Sequence, residues 1–264
     1  MKGHVNSSGF PLQIGIGNLI DSTRQRHGWR TLYTEHSWNN RETGESGFID
    51  LVIANSAVTQ YFTVECKRVK DTSWIFLNEG SEVKLRRHSK AFIFMKDGTS
   101  VKQFRWHDIT LEPSTPESQF CVIPGNDSKS KSLIERAAAE LVSSTEALAM
   151  EDKSLSLDDR WSLGIYFNLI ITTAKLQICS FDKSDISILD GTISDPTFQE
   201  VPYVRFRKQL SPTYNLPEVY KVAGYEDRAY AKENTVFVVN SEHLVEFLVN
   251  FEIDDNYINN AALC

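Results

Sequence analysis

The chain has 264 residues, 41% of them apolar and 24% charged, and a formal net charge of −7. That balance is ordinary for a globular protein and leaves room for one large elaborated domain or two small ones. The acidic total argues against a protein held to nucleic acid by charge alone. No apolar run approaches the roughly 18 residues that cross a bilayer as a helix, so no membrane is expected as a partner.

In chain order, Met1 to Ser8 is polar and lacks the apolar core of an export signal, which gives the expectation of a cytoplasmic protein. Ile16, Leu19, Ile20 and Thr23 recur at helical spacing and predict a helix over 12–27. Gly28 supplies its stop. Trp29 to Ser37 reads as a strand carrying Tyr33 and Glu35, and the polar run from Asn39 to Glu45 as a turn. Two further strands follow at about 47–54 and 60–67, joined by Asn55-Ser56-Ala57. Short strands are predicted at Trp74 to Leu77, His88 to Met95, Lys102 to His107 and Gln119 to Ile123, with Pro113 to Ser118 as a loop between the last two. A long Ala-rich helix spans about Lys131 to Met150, and a buried strand follows at about 165–180, with Ile165 to Ile171 and Leu176 to Cys179 separated by Thr172-Thr173-Ala174-Lys175. Val201 to Leu210 and Thr235 to Asn240 complete the strands. Ser241 is placed to cap a helix from Glu242 to Phe251, ahead of a polar tail from Ile253 to Cys264. Strands alternating with helices predict a mixed α/β fold.

Cys66, Cys121, Cys179 and Cys264 form no CxxC pair and no zinc-type spacing with the histidines, so reduced thiols are expected. Charge is unevenly spread. Residues 1–110 carry 15 Lys/Arg against 11 Asp/Glu, and residues 111–264 carry 13 against 24. The basic excess therefore lies on the half that holds Asp50, Glu65 and Lys67, where a polyanion would call for it. Acidic, solvated helix faces in the second half account for the same numbers.

Glu-x-Lys occurs three times, at Glu65/Lys67, Glu82/Lys84 and Glu151/Lys153. Only the first ends an apolar strand, and only it has an Asp-bearing strand just upstream. Strand alternation puts Glu65 and Lys67 on one face and Phe62, Val64 and Cys66 on the other. Thr63, Glu65 and Lys67 are then expected to face a cleft. Two carboxylates brought together on adjacent strands repel unless a cation lies between them. Mg²⁺ favours one or two carboxylates plus water and phosphate oxygens, and a lysine alongside can orient the attacking water or stabilise developing charge. A plain salt bridge of Asp50 and Glu65 with Lys67 at a sheet edge is the structural alternative.

The order of helix, Tyr33-Thr34-Glu35, Ile49-Asp50 and Val64-Glu65-Cys66-Lys67 resembles the PD-(D/E)xK, or restriction-endonuclease-like, nuclease superfamily over about residues 10–70. Ile49 stands where that family usually has proline. The resemblance implies an α/β fold with a restriction-endonuclease-like core, a mixed central sheet flanked by helices, within residues 1–182. It would carry an inserted β region at about 71–128 and a strand/helix elaboration at 183–264. It implies a Mg²⁺-dependent nuclease, with Mn²⁺ as a substitute, acting on DNA before RNA in defence, restriction or repair. Asp50, Glu65 and Lys67 would be catalytic. Asp50, Glu65, the Cys66 carbonyl and Glu35 would be metal ligands. Nucleic-acid contacts are expected from the basic cluster Arg86, Arg87 and Lys90 and from the strand residues Arg205 and Arg207. Partners of a homodimeric or heteromeric kind are compatible with this reading. The rival expectation is a catalytically silent nuclease-fold subunit that binds nucleic acid or serves as a protein scaffold. Trp74, Trp106 and Trp161 are expected in the core.

Overall fold

A computed structural model describes residues 1–41, 43–70, 72–125, 132–156, 161–210, 229 and 232–254. Helices α1 (Lys2–Ser7), α2 (Phe10–Ser22) and α3 (Arg24–His27) lead into β1 (Arg30–Asn40), β2 (Glu45–Ala54) and β3 (Gln60–Lys67). Gly28 ends α3 in the left-handed conformation, as a helix-stopping glycine does. Strands β4 (Ser73–Glu79), β5 (Leu85–Asp97), β6 (Ser100–Ser118) and β7 (Cys121–Val122) follow. Helix α4 (Leu133–Leu155) begins where Ser132 Oγ accepts the Glu135 N–H. Then come β8 (Ser162–Thr172), β9 (Lys175–Phe181), β10 (Thr197–Val201), β11 (Tyr203–Gln209) and β12 (Glu233–Asn240). Helix α5 (Leu244–Asn250) and β13 (Glu252–Ile253) complete the described elements.

β1, β2 and β3 form an antiparallel meander, and β8 runs parallel beside β3. The other edge of β8 is shared. Its first half pairs with β5 and its second half with β12. β12 pairs with β11, β11 with β6, and β6 with β5, so β5, β6, β11, β12 and β8 close on themselves. A separate four-stranded sheet has the order β10-β9-β4-β7.

This corrects the expected fold. About 50% of the structure is strand and 27% helix, with a closed five-stranded barrel, and it is not a helix-flanked α/β restriction-endonuclease-like sandwich. The cause lies in which faces bury one another. Ala91, Ile93 and Met95 of β5, Ile109 and Leu111 of β6, Phe167 of β8 and Phe237 of β12 share one buried cluster. Much of their apolar area is thus covered by other strands instead of helices. Segments expected as an insertion (β5, β6) and as a C-terminal elaboration (β11, β12) supply four of the five barrel strands.

Local expectations shift accordingly. Pro113 to Ser118 lies inside the long strand β6, with Pro116 opposite Leu85, and is not a loop. The region at 165–180 is two strands that enter different sheets. Asn240, not Ser241, accepts the first N–H at the C-terminal helical segment. Trp74 and Trp106 are buried, whereas Trp161 is exposed. Ile253 pairs with Leu111, and the rest of the expected tail from residue 255, including Cys264, lies outside the described residues. So do the Pro212 to Pro217 segment and the start of the predicted helix at Lys131. No helix among the described residues is long and apolar enough to cross a membrane.

Candidate functional site

Strand register puts three carboxylates in a row. Thr34 faces Leu51 and His36 faces Ile49, so Glu35 stands opposite Asp50 across β1 and β2. Leu51 faces Val64 in the β2–β3 ladder, and the same register carried on by one residue sets Asp50 opposite Glu65. Regular pairing stops there. The Cys66 N–H instead donates to Asp50 Oδ2 at 2.7 Å. Glu35 has a φ of +50°, a left-handed conformation that is strained for a side chain of this size. Such outliers concentrate at functional sites, where surrounding contacts must hold them in place.

Gln13, buried on α2, supplies such a contact. Its Nε2 donates to Glu35 Oε1 at 2.6 Å and to the Asp50 carbonyl at 2.8 Å. Lys67 pairs directly with Glu65 Oε1. From α4, Glu140 reaches towards the same area: its Oε1 lies 3.3 Å from where a β-carbon on Gly47 would sit. The absence of a side chain at Gly47 makes that approach, and the approach of the Trp38 ring, possible.

The electrostatics follow from burial. Glu65 is pushed up to about 7, first by burial and then by Asp50, against the opposing pull of Lys67. Asp50 is also raised, chiefly by burial, with Glu35 and Glu140 adding to it and the Cys66 N–H and Lys67 opposing it. Burial and the neighbouring Asp50 push the Cys66 thiol up, so it stays protonated, and its side chain packs in the apolar core. Any contribution of Cys66 to a cation is therefore from its backbone.

Among the described residues, no group of three or more His, Cys, Asp or Glu side chains is arranged to hold a metal ion. A closed structural zinc site is thus not built here. Two half-buried carboxylates that both resist ionisation do fit a hard cation of the Mg²⁺ kind, which takes one or two carboxylates and fills its shell with water and substrate oxygens. Asp50 and Glu65 are the residues that would hold it.

The structure brings Glu35, Asp50, Glu65 and Lys67 together. It corrects the expectation for Thr63, which faces no cleft: it is fully buried, with Oγ1 2.5 Å from Thr145 Oγ1 on α4. The residues expected to contact nucleic acid are mostly buried or paired with acids. Arg205 is fully buried and donates to the Pro113 carbonyl at 3.0 Å and to Thr115 Oγ1 at 2.6 Å. Arg207 is paired with Glu233 at 2.7 Å and Glu117 at 3.6 Å. Lys90 is buried, and that burial lowers its pKa. Arg87 is exposed but paired with Glu112 at 2.6 Å, and Arg86 is exposed. His36 contacts Glu151 on α4 at 3.0 Å and stacks on Tyr33. Cys66, Cys121 and Cys179 are free thiols.

Two residues of the cluster escaped the sequence reading. Gln13 had a signal, as the one amide on the buried stripe of α2 formed with Ile16, Gly17 and Ile20. Glu140 had none, because it is one acid among several exposed positions of α4. Comparisons with known proteins find no matching family model, no similar curated protein and no similar solved structure.

Proposed function

We propose that the protein is a divalent-metal-dependent phosphodiesterase acting on nucleic acid, DNA first, with Asp50, Glu65 and Lys67 as its working groups. The observation that carries this reading is the row Glu35–Asp50–Glu65 across three neighbouring strands, with Lys67 against its last member. Mg²⁺ would neutralise charge on the phosphate and acidify a bound water there. Asp50, oriented by the Cys66 N–H, presents its other oxygen. Glu65, raised to about 7 in the metal-free protein by burial and Asp50, would be held as the carboxylate once a cation is bound. Lys67 supplies positive charge for a developing phosphorane. Gln13 keeps Glu35 and the Asp50 backbone in place without bringing charge of its own.

The direct Lys67–Glu65 contact favours a second reading. A lysine that occupies the carboxylate can take the place of a metal, leaving a silent binding or scaffold subunit. Incubation with plasmid, linear duplex and single-stranded DNA and RNA, in Mg²⁺ or Mn²⁺ and with EDTA, separates the two. Metal-dependent cleavage that disappears in Asp50→Ala and Glu65→Ala supports the enzyme. No cleavage of any substrate with either metal overturns it.

A further inference from the structure

Strands β3, β8 and β12 run parallel and end together. Lys67 at the end of β3 pairs with Thr172 at the end of β8, and Thr172 pairs in turn with Asn240 at the end of β12. Ligands of sheets with parallel strands sit outside such carboxyl ends, and the Glu65–Lys67 pair already lies at one of them. Neighbouring strands are about 4.8 Å apart, so the end of β12 is about 10 Å from Lys67 along this line.

The character of the surface changes along it. The segment leaving β3 carries Arg68, half-buried, and Lys70, exposed, and among the described residues neither has an acidic partner. Val69 between them is fixed. It packs against the apolar cluster of Ile170, Ala174 and Leu176. Its N–H donates to Thr173 Oγ1 at 2.9 Å, and its carbonyl accepts the Thr173 hydroxyl at 2.9 Å. Two cations are thereby held beside the turn between β8 and β9. Across that turn, on the β12 side, is a cavity of about 380 Å³. Leu176, Val201 and Pro202 give it apolar walls, and its ionisable groups are mixed, Lys175 and His243 with Glu200 and Glu242. Lys175 pairs with Glu200 at 3.4 Å. Asn240 stiffens the rim: its Nδ2 donates to the Ala174 carbonyl at 2.7 Å and its Oδ1 accepts the Glu242 N–H at 2.8 Å.

We infer that a single-stranded polynucleotide leaves the Glu65–Lys67 site along this line, its backbone passing Arg68 and Lys70 and one unpaired base lodging in the cavity. This rests on the reading of that site as a phosphodiesterase. Cations without acidic partners suit the phosphates, which carry the charge of the strand. Apolar walls with a few polar groups suit the base, which is uncharged and presents donors and acceptors at its edge. A base must be out of the duplex to enter such a recess, so the substrate class is single-stranded.

Fluorescence anisotropy of the full chain with labelled oligothymidylate, and with a duplex of equal length, tests this in EDTA over a range of salt. EDTA stops metal-dependent cleavage, so binding is read alone. The single strand is expected to bind more tightly than the duplex. Arg68→Ala with Lys70→Ala should weaken that binding and reduce the steepness of log Kd against log salt by about 0.7 per lost phosphate contact. His243→Trp, at a half-exposed position, should fill the cavity and weaken single-strand binding by about 10-fold, as for loss of one base contact, with the salt dependence unchanged. Circular dichroism should show both variants folded. Equal affinity for the duplex, or a salt dependence unmoved by loss of both cations, overturns the inference even where the protein cleaves DNA with Mg²⁺. So does His243→Trp binding as wild type, or no binding of either oligonucleotide. Single-strand binding with these shifts but no cleavage with Mg²⁺ or Mn²⁺ supports the track and overturns only the enzymatic reading.

Discussion

The barrel and the β1–β3 meander share β8, yet they treat buried charge in opposite ways. In the barrel, Arg205 is enclosed and its guanidinium is taken up by the Pro113, Arg87 and Leu111 carbonyls, by Thr115 and by the face of Phe237, 5.1 Å away. In the meander, Asp50 and Glu65 are half-buried beside each other, in a ladder that has stopped pairing. A charge whose donors are nearly all used holds strands together. Charges that repel each other within reach of solvent are available for chemistry.

Removing Arg205 tests the first half of this contrast and should have the largest effect. Arg205→Met strands several buried carbonyls and should cost about 3–5 kcal/mol of stability, read as a lowered midpoint in urea unfolding. It should act on cleavage only through that loss. Lys67→Ala is expected to do the reverse, with cleavage reduced by about 10²–10³-fold, as for loss of one charge-stabilising donor, and an unchanged unfolding midpoint. Unchanged turnover would show that Lys67 is not the working lysine.

The pH dependence of the two regions should also run in opposite directions. Glu65 is raised to about 7 from an ordinary value near 4.5, so the folded state holds its proton more tightly than the unfolded state. Its contribution is favourable below pH 4.5 and is lost as pH rises through 7. His107, on barrel strand β6, is lowered to about 4 from 6.5 by burial. Its contribution is present above pH 6.5 and is lost as pH falls through 4. In EDTA, Glu65→Gln should therefore gain stability over wild type at pH 8 and little at pH 5, by on the order of 1–3 kcal/mol. His107→Gln should show its relative gain only below about pH 5. Parallel pH profiles for the two variants would break the comparison.

A smaller effect is expected from Gln13→Leu. The substitution keeps the buried volume but removes both amide hydrogen bonds, so Mn²⁺ affinity measured by calorimetry should fall about 10–100-fold, as for loss of an outer-shell partner. Equal affinity would mean that Glu35 needs no support from α2.

The meander was legible from sequence because its information is local. Alternation places Glu65 and Lys67 on one face of β3, and the strand just before it carries Asp50. The barrel was not legible. Its closure depends on β5, β6, β11 and β12, which are far apart in the chain, and the periodicity of each strand says nothing about its neighbour. Arg205 shows the cost of that gap. Strand alternation puts Arg205 on the face opposite Val204 and Phe206, but whether that face meets solvent or the barrel interior depends on strands about a hundred residues away. Gln13 was visible as a polar break in an apolar stripe, but what it was for depended on the bend at Glu35.

That bend has a consequence for how the protein avoids its own kind. Among the described residues, β1 ends the order of the large sheet and has β2 on one side only. Eleven residues of straight edge would offer a row of unused N–H and C=O groups to any passing strand. The left-handed residue Glu35 interrupts that row near its middle, and a register shift between Thr31 and Tyr33 breaks it again nearer its start. The residue that puts a carboxylate beside Asp50 thereby also makes the edge a poor template for amyloid-like growth.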